Sequence, residues 1–121
     1  MSMETCYKEL GGDYKEMHSR IPSDALIRRF IGSFLNDPSF GALCEGMAAG
    51  DRETAFRAVH TLKGVCANLG FEKLRLSASA LTEVLRPETG AIPQEAFPLL
   101  QEVRKDYEIT VAAIQKFMAE A

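Results

Sequence analysis

The sequence predicts an all-α fold: an antiparallel four-helix bundle with one or two short extra helices at its N-terminus. Two observations predict it. Apolar residues recur at spacings of three and four, the helical period, and alternating β-type runs are absent, with Val and Ile scattered. Proline, glycine and good capping residues then divide the chain into amphipathic segments joined by short turns, the pattern that antiparallel bundles require.

Over residues 3–20, Tyr7, Leu10, Tyr14 and Met17 give weak helical spacing, interrupted by Gly11-Gly12. This predicts one or two short helices, prone to fraying. Ile21-Pro22 breaks the pattern, and Ser23 is a good N-cap for a helix over about 23–36. There Leu26, Ile27, Phe30, Ile31, Phe34 and Leu35 form one apolar stripe, with Arg28 and Arg29 facing away. Asn36-Asp37-Pro38 reads as a stop and restart, Asp37 capping and Pro38 at the first helical position. The short helix that follows, about 38–48, turns Phe40, Leu43, Cys44 and Met47 inward and ends at Gly50. After the Asp51 cap, residues 52–69 place Ala55, Val59, Leu62, Cys66 and Leu69 on a bundle-type seam, closed by Gly70. A helix over about 72–86 buries Leu74, Ala78, Leu81 and Leu85, and Pro87 to Pro93 forms a loop. The last helix, about 94–119, is expected to bury Ala96, Leu100, Val103, Tyr107, Val111, Ile114 and Phe117 or Met118.

The length suits one domain, 1–121, with the bundle over about 23–119 and residues 1–20 as a helical extension. With 46% hydrophobic and 26% charged residues the chain is globular rather than disordered. A net charge of -3 argues against non-specific nucleic-acid binding. No apolar run approaches membrane-spanning length, and the first residues lack a signal-peptide pattern, so a cytoplasmic protein with no membrane contact is expected. Cys6, Cys44 and Cys66 form no CxxC and have no histidine pair beside them; Cys44 and Cys66 read as small core residues in a reduced protein.

The 52–69 helix has an unusual second face. Phe56, His60, Lys63, Gly64 and Ala67 share it, beside the seam. Glycine inside a helix costs about 1 kcal/mol relative to alanine, and the seam continues through Gly64 without a break. A glycine one turn from a histidine clears space for a bulky partner to approach the imidazole. Lys63 can reach an anion carried on that ring. A single histidine on a helix is ordinarily an unremarked surface residue, and a mid-helix glycine often marks close packing. The three together suit a phosphohistidine. His18 has no such company and reads as incidental.

His60-Thr61-Leu62-Lys63-Gly64, followed by Asn68-Leu69-Gly70, resembles the HxLKGxxxxLG signature of histidine-containing phosphotransfer (HPt) domains of bacterial two-component phosphorelays. The approach through Ala48-Ala49-Gly50-Asp51 and Ala58-Val59 is also similar, and helix order matches over roughly 12–119. The resemblance implies a monomeric four-helix bundle that shuttles a phosphoryl group between receiver-domain aspartates, or from a hybrid or histidine kinase relay. It implies His60 as phosphoacceptor, Lys63 as phosphoryl-stabilising cation and Gly64 as the opening for the partner. Phe56, Arg57, Ala67 and Thr82 are the expected partner-binding residues around it. No cofactor of its own is implied; Mg²⁺ would be supplied by the receiver. With no Walker-type loop or kinase-like nucleotide site, a phosphocarrier rather than an ATP-using enzyme is expected. In many HPt domains a Gln on the next helix bonds the second ring nitrogen; here Thr82 stands at that place, with Ser79 one turn earlier. The alternatives are an HPt-like interaction module that binds receivers or kinases without carrying phosphate, and the phosphoacceptor domain of a chemotaxis-type kinase. A haem or di-metal bundle would need several inward ligands, which two histidines and no inward carboxylate pair do not supply.

Overall fold

The computed structural model describes residues 1–120, and over them the chain is all-helical, with seven helices and no strand. These are α1 Met3–Leu10, α2 Tyr14–Arg20, α3 Asp24–Phe34, α4 Ser39–Ala49, α5 Arg52–Leu69, α6 Glu72–Val84 and α7 Ala96–Ala119. None is long and apolar enough to cross a membrane. Side-chain caps start four of them: Ser2, Asp13, Ser23 and Asp51 each accept from the backbone N–H three residues on. Gly50 and Gly70 end α4 and α5 at φ 68° and 73°, a left-handed turn that other residues adopt with strain. At the start of α4 the roles differ from expectation. Pro38 is the cap rather than the first helical residue, and the Asp37 carboxylate accepts from the Ser39 N–H at 2.9 Å.

Helix α5 packs against α4 and α6, α6 packs against α7, and α7 also takes α1 and α3. The seam of α5 (Ala55, Val59, Leu62 and Cys66) is fully buried. Gly46 lets α4 approach closely: a Cβ there would sit 2.7 Å from the Ala55 backbone nitrogen.

The N-terminal helices are not frayed. Met3, Cys6, Tyr7, Leu10 and Met17 belong to the core, and the Tyr7 hydroxyl donates to the Leu69 carbonyl at 2.6 Å. That carbonyl belongs to the last turn of α5, where no helical donor remains. The α1–α2 turn is stitched to the α5–α6 turn by Asp13 N–H to Gly70 O and Lys73 N–H to Gly11 O, both 3.1 Å. Burial and the charge of Glu9 push the Cys6 thiol up to about 11. Burial likewise raises Cys66 to about 12, followed in effect by the charge of Asp37. Cys44, expected in the core, is half-buried, with its sulfur 3.6 Å from the Arg104 guanidinium.

Two amphipathic faces lie in a different phase from the sequence reading. In α3, Ile27, Ile31 and Phe34 are buried, but Leu26 and Phe30 are 38% and 39% exposed. Arg28 does not face away; its guanidinium lies over the Phe117 ring at 5.1 Å and donates to the Met118 carbonyl. In α7 the buried stripe runs through Asp106, Thr110 and Ala113, while Tyr107 and Val111 are only partly covered. Thr110 satisfies its hydroxyl on the Asp106 carbonyl at 2.8 Å, so a polar residue can occupy the inner face. Tyr107 instead stacks on Phe40 at 4.1 Å between ring centroids.

Replacing Gly46 with Val should lower the unfolding free energy in urea by about 1–3 kcal/mol, because a backbone atom rather than a flexible side chain opposes the new Cβ. Native-state alkylation followed by mass spectrometry should modify Cys44 first. Cys6 and Cys66, buried and with little thiolate at neutral pH, should react only on unfolding.

Candidate functional site

His60 is exposed midway along α5, on the face opposite the buried seam. Thr61, Gly64 and Ala67 are exposed beside it, and Lys63 is half-buried. A Cβ built on Gly64 meets nothing within 4 Å, so no neighbouring helix requires the glycine. Close helix packing is therefore not its explanation; Gly64 leaves open surface one turn from the imidazole.

Phe56 is only 9% exposed, so it forms the floor of the site rather than a free apolar patch. Its ring lies 5.8 Å from the His60 ring, tilted by 32°. The Arg86 guanidinium covers the same ring at 5.1 Å. Around them is a hollow of about 390 Å³ lined by Phe56, Arg57, His60, Thr61, Arg86 and Glu88. Arg57 is exposed and paired with Glu53 at 2.8 Å and Glu88 at 3.8 Å. Arg86 pairs with Glu83 at 2.7 Å. The Arg86 guanidinium bound to it holds the Glu83 carboxyl below the usual carboxylate range, and Lys63 is near enough to add its charge. The histidine thus has three cations about it, and the two arginines already hold carboxylates.

Thr82 is a correction. It is fully buried, and its hydroxyl donates to the Ala78 carbonyl at 2.7 Å within α6. It faces the core and offers nothing to the His60 ring or to a partner. Arg86, two residues beyond the end of α6, supplies the contact on this side. The sequence reading placed Arg86 at the end of its 72–86 helix and Glu88 in the loop after Pro87 and gave neither a role; the helix ends at Val84, and the segment beyond it brings both residues to the hollow. His18 packs against Tyr14 at 5.5 Å and lines no part of this hollow.

A larger hollow, about 600 Å³, lies between the α1–α2 turn and the start of α6. Its lining mixes Lys8 and Lys15 with Glu4, Asp13 and Glu72, and its two tyrosine hydroxyls are already bonded to Leu69 and Asp24. Size alone does not make it the reactive site.

A family model described as Hpt domain matches residues 26–113. The chain belongs to the Hpt domain family. Comparison with curated proteins and with solved structures gave no match. The Hpt segment contains all of α4, α5 and α6 and every residue that lines the hollow; α1 and α2 lie before it.

Since Gly64 is a helical residue in open space, Gly64→Ala should raise the unfolding free energy by about 0.5–1 kcal/mol in urea titration. A loss of stability would mean that the glycine serves the local backbone rather than access.

Proposed function

We propose that His60 accepts a phosphoryl group from a receiver-domain aspartate, or from a histidine kinase relay, and passes it to the aspartate of a response regulator. An Hpt domain is a phosphotransfer module of phosphorelays and a phosphocarrier rather than a conventional enzyme, and its partners are receiver or kinase domains. The observation that carries the assignment to this residue is the exposed imidazole beside an unfilled Gly64, with Lys63, Arg57 and Arg86 around it.

The pairing of α4 with α5, α5 with α6 and α6 with α7 supports an antiparallel four-helix bundle as the carrier of this site. The sequence reading counted the helix over about 23–36 among the four long helices and that over about 38–48 as a short one; in this arrangement α4 takes that place, α3 lies against α7 as an additional helix, and the 1–20 extension closes the end at Gly70.

In the proposed transfer a neutral imidazole nitrogen attacks the aspartyl phosphorus in line with the carboxylate. The N–P bond forms as the P–O bond breaks, and the bonding pair leaves on the aspartate. The other ring nitrogen keeps its proton. Such transfers depend on positioning and charge stabilisation. In this reading Lys63 meets the developing charge on the phosphoryl oxygens, and Arg86 and the imidazole both lie against the Phe56 ring. Mg²⁺, held by the receiver, would neutralise the phosphoryl group before transfer. Gly64 and Ala67 present a low surface for the approaching partner, and Arg57 with Glu88 forms a charged rim that a partner must match.

The test is phosphotransfer from a labelled, Mg²⁺-bound receiver to the protein. Wild type should gain acid-labile, base-stable label, and His60→Gln should gain none. Receivers that bind without transferring label would instead support an interaction module.

A further inference from the structure

Arg52 is the first residue of α5 and lies outside the hollow around His60. It forms no ion pair among the described residues. Its guanidinium instead donates to four main-chain carbonyls: Leu85 at 3.0 Å, Ala91 at 2.8 Å, Val84 at 3.3 Å and Arg86 at 3.0 Å. Helix α6 ends at Val84 without a glycine cap, its cap residue Leu85 remaining right-handed. Backbone N–H groups of Leu85 and Arg86 serve the Leu81 and Glu83 carbonyls, and Arg52 supplies donors from the neighbouring helix to the carbonyls of Val84 and Leu85 at the helix end.

The consequence reaches the site. Arg52 holds the backbone at Arg86 and at Ala91, the two ends of the segment that carries Arg86 and Glu88 to the hollow. Arg52 and His60 stand on one rigid helix, so a single guanidinium sets where the α6–α7 segment sits relative to the imidazole. We propose that Arg52 is a positioning residue for phosphotransfer, acting through Arg86. The inference rests on the reading of His60 as phosphoacceptor. Arginine suits the task because its planar fork presents several donors at fixed angles; lysine presents a point charge.

The experiment is a double-mutant cycle on the full chain. Single-turnover transfer from a phosphorylated, Mg²⁺-bound receiver at saturating concentration would be measured for wild type, Arg52→Ala, Arg86→Ala and the double variant. Circular dichroism would confirm that each is folded. Arg52→Ala should slow transfer roughly ten- to hundredfold, the scale of misplacing a charge-stabilising group. Added to Arg86→Ala, it should change the rate less than about twofold, the mark of residues acting as one unit. A purely structural role would give independent, multiplying effects. Such multiplication, a folded Arg52→Ala that transfers at the wild-type rate, or an Arg86→Ala without effect would each overturn the proposal. If Arg52→Ala does not fold, Arg52→Lys takes its place in the cycle and is judged by the same outcomes. Wild type that takes no label at His60 would refute the phosphoacceptor reading itself and this inference with it; wild-type transfer with an inert Arg52 refutes only the latter.

Discussion

Helix α5 buries Ala55, Val59, Leu62 and Cys66 and leaves His60, Gly64 and Ala67 in the open, and the remainder of the molecule is arranged around that division. A buried seam fixes the rotation of the helix about its axis, because turning it would expose the seam and bury an imidazole. His60 therefore needs no support of its own to stay at the surface. It is held there by the packing of the residues behind it, against α4 and α6. Gly46 allows α4 to press close to Ala55, and Tyr7 and Arg52 tie the two ends of α5 to other parts of the chain.

Charge at the site is organised in pairs. Arg57 is held by Glu53 and Glu88, and Arg86 by Glu83, so the two guanidiniums beside His60 are oriented by the chain itself. These pairs are exposed, and each contributes little to stability. Their value lies in geometry: a cation with a fixed resting position has less freedom to lose when an anion comes within reach. Lys63 stands outside these pairs, half-buried on the same face as His60. The Phe56 ring beneath them gives Arg86 and His60 a common apolar surface, which is why a nearly buried aromatic is part of an otherwise polar site.

Much of this was legible in the sequence. The bounds of α5, Arg52 to Leu69, follow from Asp51, the seam spacing and Gly70, all of them local features. The exposure of His60, Gly64 and Ala67 follows from the same seam. What escaped was set by contacts between distant segments. Tyr107 and Val111 are the more apolar letters, but the neighbours of α7 bury Asp106 and Thr110, and no local pattern reports which flank of a helix meets its partner. The inward turn of Thr82 has the same origin, with its hydroxyl satisfied on Ala78 and so free of any demand for solvent. Arg86, Glu88 and Arg52 meet through a loop, where hydrophobic periodicity carries no signal. The short helices of 3–20 looked expendable because their own periodicity is weak; their burial comes from the Leu69–Gly70 end of α5 and from α7.

That last contact bears on where the cooperative unit begins. The Hpt match starts at residue 26, yet the Tyr7 hydroxyl is bonded to α5 and the Asp13 amide to Gly70. The limits of family likeness and the limits of the folded unit are therefore different boundaries in this chain. Excision at the first boundary would leave the Leu69 carbonyl without its tyrosine donor and bare the surface of α7 that α1 covers. The helix that carries His60 would lose an anchor some nine residues beyond the histidine itself. Fragments meant to isolate the phosphotransfer chemistry retain its supporting architecture only when the first two helices travel with them.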